Sequence, residues 1–155
     1  MKSNNVPTFA KLKPSSKASS KTKQKNTHKD TRHEILLRKE LWRSGLRYRK
    51  NVISLIGKPD IVFSSSRVIV FCDGDFWHGR NWKELKSKLK RRANPKYWIA
   101  KIAYNIERDK KNNMLLEDEG WHVIRLWETD IKRDPKSAAE LVKKIVDKRK
   151  NILDK

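Results

Sequence analysis

Residues 60–63 (Asp-Ile-Val-Phe) and 67–72 (Arg-Val-Ile-Val-Phe-Cys) are two short runs rich in β-branched and aromatic side chains, separated only by Ser64, Ser65 and Ser66. Such runs bounded by turn formers read as neighbouring strands joined by a tight turn. Residues 47–54 (Arg-Tyr-Arg-Lys-Asn-Val-Ile-Ser) predict a strand before them, with Gly57-Lys58-Pro59 as the turn between, so a meander of short strands is expected at the centre. Thr31 and Glu34 have capping-box spacing, and Ile35, Leu36, Leu41 and Trp42 recur with a helical period until Gly45, which predicts a first helix over about 32–44. Asn94 and Pro95 open a long helix that carries Trp98, Ile102, Ile106 and Leu115 to Gly120. Residues 121–127 read as a last strand, residues 137–150 as a closing helix, and the basic stretch 82–92 as room for a short extra helix. The expected order is α-β-β-β-α-β-α, with Trp42, Trp121 and Trp127 in core positions.

Residues 1–30 are Lys, Ser, Thr and Asn with a few scattered apolar side chains. That composition cannot bury enough apolar surface to offset ordering entropy, so a flexible basic arm is expected, followed by one domain over 31–150. The chain has 39 Lys and Arg against 18 Asp and Glu, a formal charge of +21 and a pI near 10.3. A polyanionic partner follows, nucleic acid first, with a ribosome-associated or membrane-surface protein as the alternative. Cys72 is the only cysteine, which excludes an internal disulfide and a thiolate-rich zinc cage. No apolar run of roughly 18 residues and no signal-peptide stretch is visible, so no membrane anchor and a cytoplasmic, nucleoid-associated location are expected.

Asp60 opens one strand after a Pro-containing turn, and Cys72 and Asp73 end its neighbour, which brings these ends within reach of one ion. Mg²⁺ takes hard oxygen ligands, commonly one or two carboxylates plus waters and phosphate, and Asp60 and Asp73 are suitable donors. By spacing alone, an Asp in a Gly/Pro turn is more often a turn former. His78 lies in a polar loop, Asp-Gly-Asp-Phe-Trp-His-Gly, and has the intrinsic range to take a proton near neutral pH, although loop histidines are commonly just exposed. Phe76 and Trp77 beside it are either core plugs or wedges that stack on bases, and Trp98 is either core or nucleic-acid-facing. Glu34 has a local role as half of the capping box. The run 83–92 is a solvated face whose density of Lys and Arg also suits phosphate contact.

Read together, four blocks resemble the very-short-patch repair (Vsr) endonucleases in order and spacing over about residues 31–130. They are residues 57–63 (Gly-Lys-Pro-Asp-Ile-Val-Phe), residues 68–79 ending in Asp-Gly-Asp-Phe-Trp-His-Gly, Tyr97-Trp98 with Asn105-Ile106-Glu107-Arg108-Asp109, and residues 120–128 (Gly-Trp-His-Val-Ile-Arg-Leu-Trp-Glu). The resemblance implies a restriction-endonuclease-like α/β fold, a mixed sheet flanked by helices, with a divergent acidic Mg²⁺ site. It implies Asp60 as metal carboxylate and Cys72 as a ligand through its backbone carbonyl. Asp73 would lie near metal-bound water, and Glu34 would hold such a water. His78 would be the general base or phosphate-contacting histidine, with Asp109 and Asn105 supporting, and Phe76, Trp77 and Trp98 would wedge into the duplex. Well-known members hold a structural zinc at positions that are here Asp75, Arg80, Trp82 and Thr129, so no zinc is expected. Packing by Trp82 or an Asp75–Arg80 interaction would hold the loop instead.

The expected activity is nicking 5′ of the T in a T:G mismatch of double-stranded DNA, the lesion left by deaminated 5-methylcytosine, by a monomer with mismatch-repair proteins as further partners. The alternatives are a restriction-like nuclease of the same fold with another target, and a DNA-binding protein whose site has decayed.

Overall fold

A computed structural model of the protein describes Pro7 and residues 29–155. The arm expected over 1–30 lies, apart from Pro7, Lys29 and Asp30, outside the described residues. The elements run α1 (Arg32–Arg43), β1 (Arg49–Lys50), β2 (Ile61–Phe63), β3 (Val68–Asp73), α2 (Trp82–Leu89), α3 (Pro95–Asp118), β4 (His122–Trp127), α4 (Glu128–Arg133) and α5 (Pro135–Leu153). They build a four-stranded sheet of order β1-β2-β3-β4. β1 and β2 pair antiparallel, as do β2 and β3 with Ile61 opposite Val70. β4 joins β3 in parallel, from Val68 opposite His122 to Asp73 opposite Trp127. A parallel neighbour requires a long crossover, and the stretch containing α2 and α3 supplies it. This is the mixed sheet flanked by helices that a restriction-endonuclease-like fold requires.

Side chains alternate across a strand, and both faces of this sheet are covered. Ile61, Phe63, Val68, Val70 and Cys72 face Leu37 and Leu41 of α1 and Val142 and Val146 of α5. Val62, Ile69 and Phe71 face the opposite way, against Leu116 of α3 with Trp121 and Val123 at the edge. Because β3 is buried from end to end, anything polar at its end must find its partners inside the protein.

Several expectations change. The strand expected over 47–54 shrinks to Arg49–Lys50, because Asn51 turns to a left-handed φ of 49°; the ladder continues only through Asn51 N–H to the Asp60 carbonyl and Val52 N–H to the Pro59 carbonyl. The closing helix expected over 137–150 runs from Pro135 to Leu153, and α4 precedes it. Asp134 caps α5 by accepting from the Ser137 N–H at 3.0 Å. The capping box is incomplete, since Thr31 makes no side-chain bond to the α1 backbone, and Asn94 makes none to α3. Trp42 is exposed rather than core, with the Arg47 guanidinium 3.5 Å above its ring. Gly45 does end α1 with a φ of 87°. Among the described residues no helix is long and apolar enough to cross a membrane.

Candidate active site

β3 runs on past the start of β2, so Cys72 has no β2 residue opposite it. Two side chains take its polar backbone groups instead. The Cys72 N–H donates to Asp60 Oδ2 at 2.7 Å, and Nε2 of His33 lies 3.2 Å from the Cys72 carbonyl oxygen. Glu34 is buried beside them; its two oxygens accept from the Asp30 N–H and the Thr31 hydroxyl, each at 2.9 Å. Burial pushes the Asp60 carboxyl up to about 7; the Cys72 N–H opposes this, the charges of Glu34 and Asp73 add to it, and His78 lowers it. Asp60 has no salt bridge to Lys or Arg among the described residues. The Asp60 carboxylate and the Cys72 carbonyl oxygen are hard-oxygen groups of the kind that Mg²⁺ takes.

Asp73, by contrast, is fully engaged. Nη1 of Arg125 lies 3.0 Å from both of its oxygens, and Nε of Arg125 donates to Asn113 at 2.8 Å. The Arg125 guanidinium also sits 4.1 Å over the Phe71 ring. His78 Nδ1 pairs with Asp109 Oδ2 at 2.6 Å and lies 3.6 Å from Asp73. Burial alone would raise the Asp109 carboxyl, but His78, Arg125 and Arg108 together hold it below the usual carboxylate range. Ligand atoms of Asp73, His78 and Asp109 lie within 4.8 Å of one another, close enough to hold a metal. Arg125 already supplies a positive charge to Asp73 in this group, whereas Asp60 has none from a salt bridge among the described residues. The Asp109 contact fixes the orientation of the His78 ring through Nδ1.

The loop 74–80 is fastened along its length. Asn105 donates to the Trp77 carbonyl at 2.8 Å, and its buried Oδ1 has no hydrogen-bond partner in the structure. Gly79 has a φ of 71° and rests on α3 so closely that a Cβ would meet Ile106 at 2.5 Å. At the other end Asp75 accepts from both the backbone N–H and the hydroxyl of Thr129. Arg80 reaches Asp130 at 3.2 Å and Asp75 at only 3.9 Å. The expected Asp75–Arg80 interaction is thus the minor member of a polar clasp on α4. This set offers one carboxylate and no thiolate or imidazole, the wrong chemistry for zinc. Phe76, Trp77 and Trp98 meet edge-to-face, with ring centroids 5.4 to 5.7 Å apart, and all three are half-buried.

The fold therefore gathers Asp60, Cys72 and Glu34 into one group, Asp73, His78 and Asp109 into a second that adjoins it, and the three rings into a third. Sequence reasoning missed His33, Arg125 and the Thr129–Asp130 pair. Arg125 left a signal, a lone guanidinium inside the apolar strand Val-Ile-Arg-Leu-Trp that calls for an internal carboxylate. His33 left none that local sequence could carry, because its partner lies 39 residues away.

The profile of the family described as DNA mismatch endonuclease Vsr matches residues 12–84. The chain is 44% identical to the type II nicking enzyme V.NmeDIP of Neisseria meningitidis serogroup C over 126 residues, 81% of this chain and 84% of that protein. It is 41% identical to the type II nicking enzyme V.HpaIIP of Haemophilus parainfluenzae over 124 residues, 80% and 86% of the two chains. With the DNA mismatch endonuclease Vsr of Escherichia coli strain K12 it shares 35% identity over 100 residues, 64% and 62% of the two. Identity at this level over four-fifths of both chains, together with the acidic site at the strand ends, makes this protein a DNA endonuclease that belongs to the Vsr family.

Proposed function

We propose that the domain over 31–150 is an Mg²⁺-dependent nickase that cuts 5′ of the T in a T:G mismatch. The observation that supports it most is the Asp60 carboxylate, which accepts from the Cys72 N–H, feels the buried Glu34 carboxylate and has no salt bridge to Lys or Arg among the described residues; burial raises it to about 7. A divalent cation bound there would polarise the scissile phosphate and acidify the attacking water.

On this reading Asp60 and the Cys72 carbonyl hold the ion, and Glu34 orients a water. His78, aligned by Asp109, accepts a proton from the attacking water. The water oxygen bonds to phosphorus as the bond to the 3′ oxygen breaks, and the departing 3′ oxygen takes a proton from solvent water, which leaves 3′-hydroxyl and 5′-phosphate ends. Arg125 keeps Asp73 from competing for the cation, and Asn105 fixes the backbone next to His78. Phe76, Trp77 and Trp98 press against the weakly stacked T:G pair, where unstacking costs less than at a Watson–Crick pair. The exposed side chains of Lys83, Lys86, Lys88, Lys90, Arg91 and Arg92 contact phosphates.

Strand-resolved cleavage of a T:G duplex beside a C:G control, each with Mg²⁺ and with EDTA, tests this reading. Metal-dependent nicking of the T strand alone is expected. Equal cutting of both duplexes would reject mismatch selectivity, and cutting that survives EDTA would reject the cation.

A further inference from the structure

His33 is 5% exposed and lies in the first turn of α1, one residue before Glu34. The plain account is a core histidine that satisfies a carbonyl left over by the sheet. Its surroundings point further. The carbonyl it meets, at 3.2 Å from Nε2, belongs to Cys72, whose N–H is held by Asp60 at 2.7 Å. Both polar groups of one peptide residue are therefore fixed by side chains at the place where the acidic group gathers. The other ring nitrogen, Nδ1, lies 3.8 Å from Glu128 at the start of α4, beyond hydrogen-bonding distance. Thr31 closes the set, with its hydroxyl 3.3 Å from His33 Nε2 and 2.9 Å from Glu34.

A carbonyl oxygen has two lone pairs. A donor on one of them fixes the direction of the other, which is how groups outside a metal's own ligands tune its affinity. We propose that His33 is a positioning residue for the cation site. Its Nε2–H occupies one lone pair of the Cys72 oxygen and leaves the second for a divalent cation held with Asp60. The inference rests on the reading of Asp60 and Cys72 given above.

Mn²⁺ titrated into the full chain without DNA, followed by electron paramagnetic resonance, tests the binding directly. His33→Leu fills the space but offers no donor, whereas His33→Gln carries an amide N–H of comparable reach. We expect His33→Leu to weaken Mn²⁺ binding by about tenfold and His33→Gln to recover most of that loss. Nicking by His33→Leu should then return as Mg²⁺ is raised, which a purely structural defect would not allow. Wild-type affinity in His33→Leu would overturn the proposal. So would equal weakening in both variants in step with their loss of Tm, since His33 would then serve only the fold. If Asp60→Asn left wild-type Mn²⁺ binding unchanged, the cation reading itself would fail, and this inference with it.

Discussion

Asp60 links the acidity of the medium to the stability of the metal-free protein. Its folded pKa of about 7 lies above the ordinary 3.8, so the native state keeps a proton that the unfolded chain releases. Its contribution is fully present below about pH 4 and is lost as pH rises towards 7. Asp60→Asn should therefore raise the Tm of the metal-free protein at pH 8 by several degrees, equivalent to roughly 2 kcal/mol, and leave it unchanged at pH 4. Calorimetry at both values decides this, and the same gain at each would show that burial does not hold the proton. The His78–Asp109 pair at 2.6 Å makes a separate prediction. Asp109→Asn should lower the single-turnover nicking rate by about a hundredfold while DNA affinity stays within about twofold, because it disturbs imidazole orientation rather than contact with the duplex. The places of Asp60 at a strand start and of His78 in a loop were legible in the sequence because turn and loop signals surround them. Arg125 was not, since it reaches Asp73 only through the β3–β4 register, and Asp109 was named only through the family resemblance, because its pairing with His78 depends on the packing of α3.

Elements with strong local signals form as the sequence predicts: α1 stops at Gly45, α3 starts at Pro95, and β2 and β3 meet across the Ser turn. β1 fell short because a left-handed residue at Asn51 leaves no periodic trace, and the six-residue α4 is too brief for its pattern to stand out. The loop 74–80 has no regular structure, and its form comes from what it touches. Gly79→Ala should destabilise the protein by about 2 kcal/mol, since the added methyl meets Ile106 at 2.5 Å on a backbone with φ of 71°. Urea denaturation measures this directly, and a change below about 0.5 kcal/mol would mean that α3 yields readily. Within the clasp, Arg80 makes long, partly exposed ion pairs, so Arg80→Ala should cost no more than about 0.5 kcal/mol. Asp75→Ala removes the acceptor for two Thr129 donors and should cost about 1–2 kcal/mol, with a matching fall in nicking. If Tm and nicking both survive the Asp75→Ala/Arg80→Ala double variant, the clasp does not hold the loop.

At the scale of the molecule, a charge of +21 implies that binding to DNA releases many counterions. Removing residues 1–28 takes away seven cationic side chains and should flatten the plot of log affinity against log salt. An unchanged slope would place the phosphate contacts on residues 83–92 and elsewhere in the folded part. The domain's overall plan was legible from the order of its segments, whereas the relation of its parts at the site depended on the parallel pairing of β3 with β4. One consequence concerns how such an enzyme can change its target. Phe76, Trp77 and His78 are consecutive, and α3 and α4 pin the loop that carries them at Asp75, Trp77, His78, Gly79 and Arg80. An insertion or deletion between those pins would throw the rings and His78 out of step together. Descendants that acquire a new lesion must therefore keep the loop's length and exchange rings at fixed positions, so its length is a more conservative character than its residues.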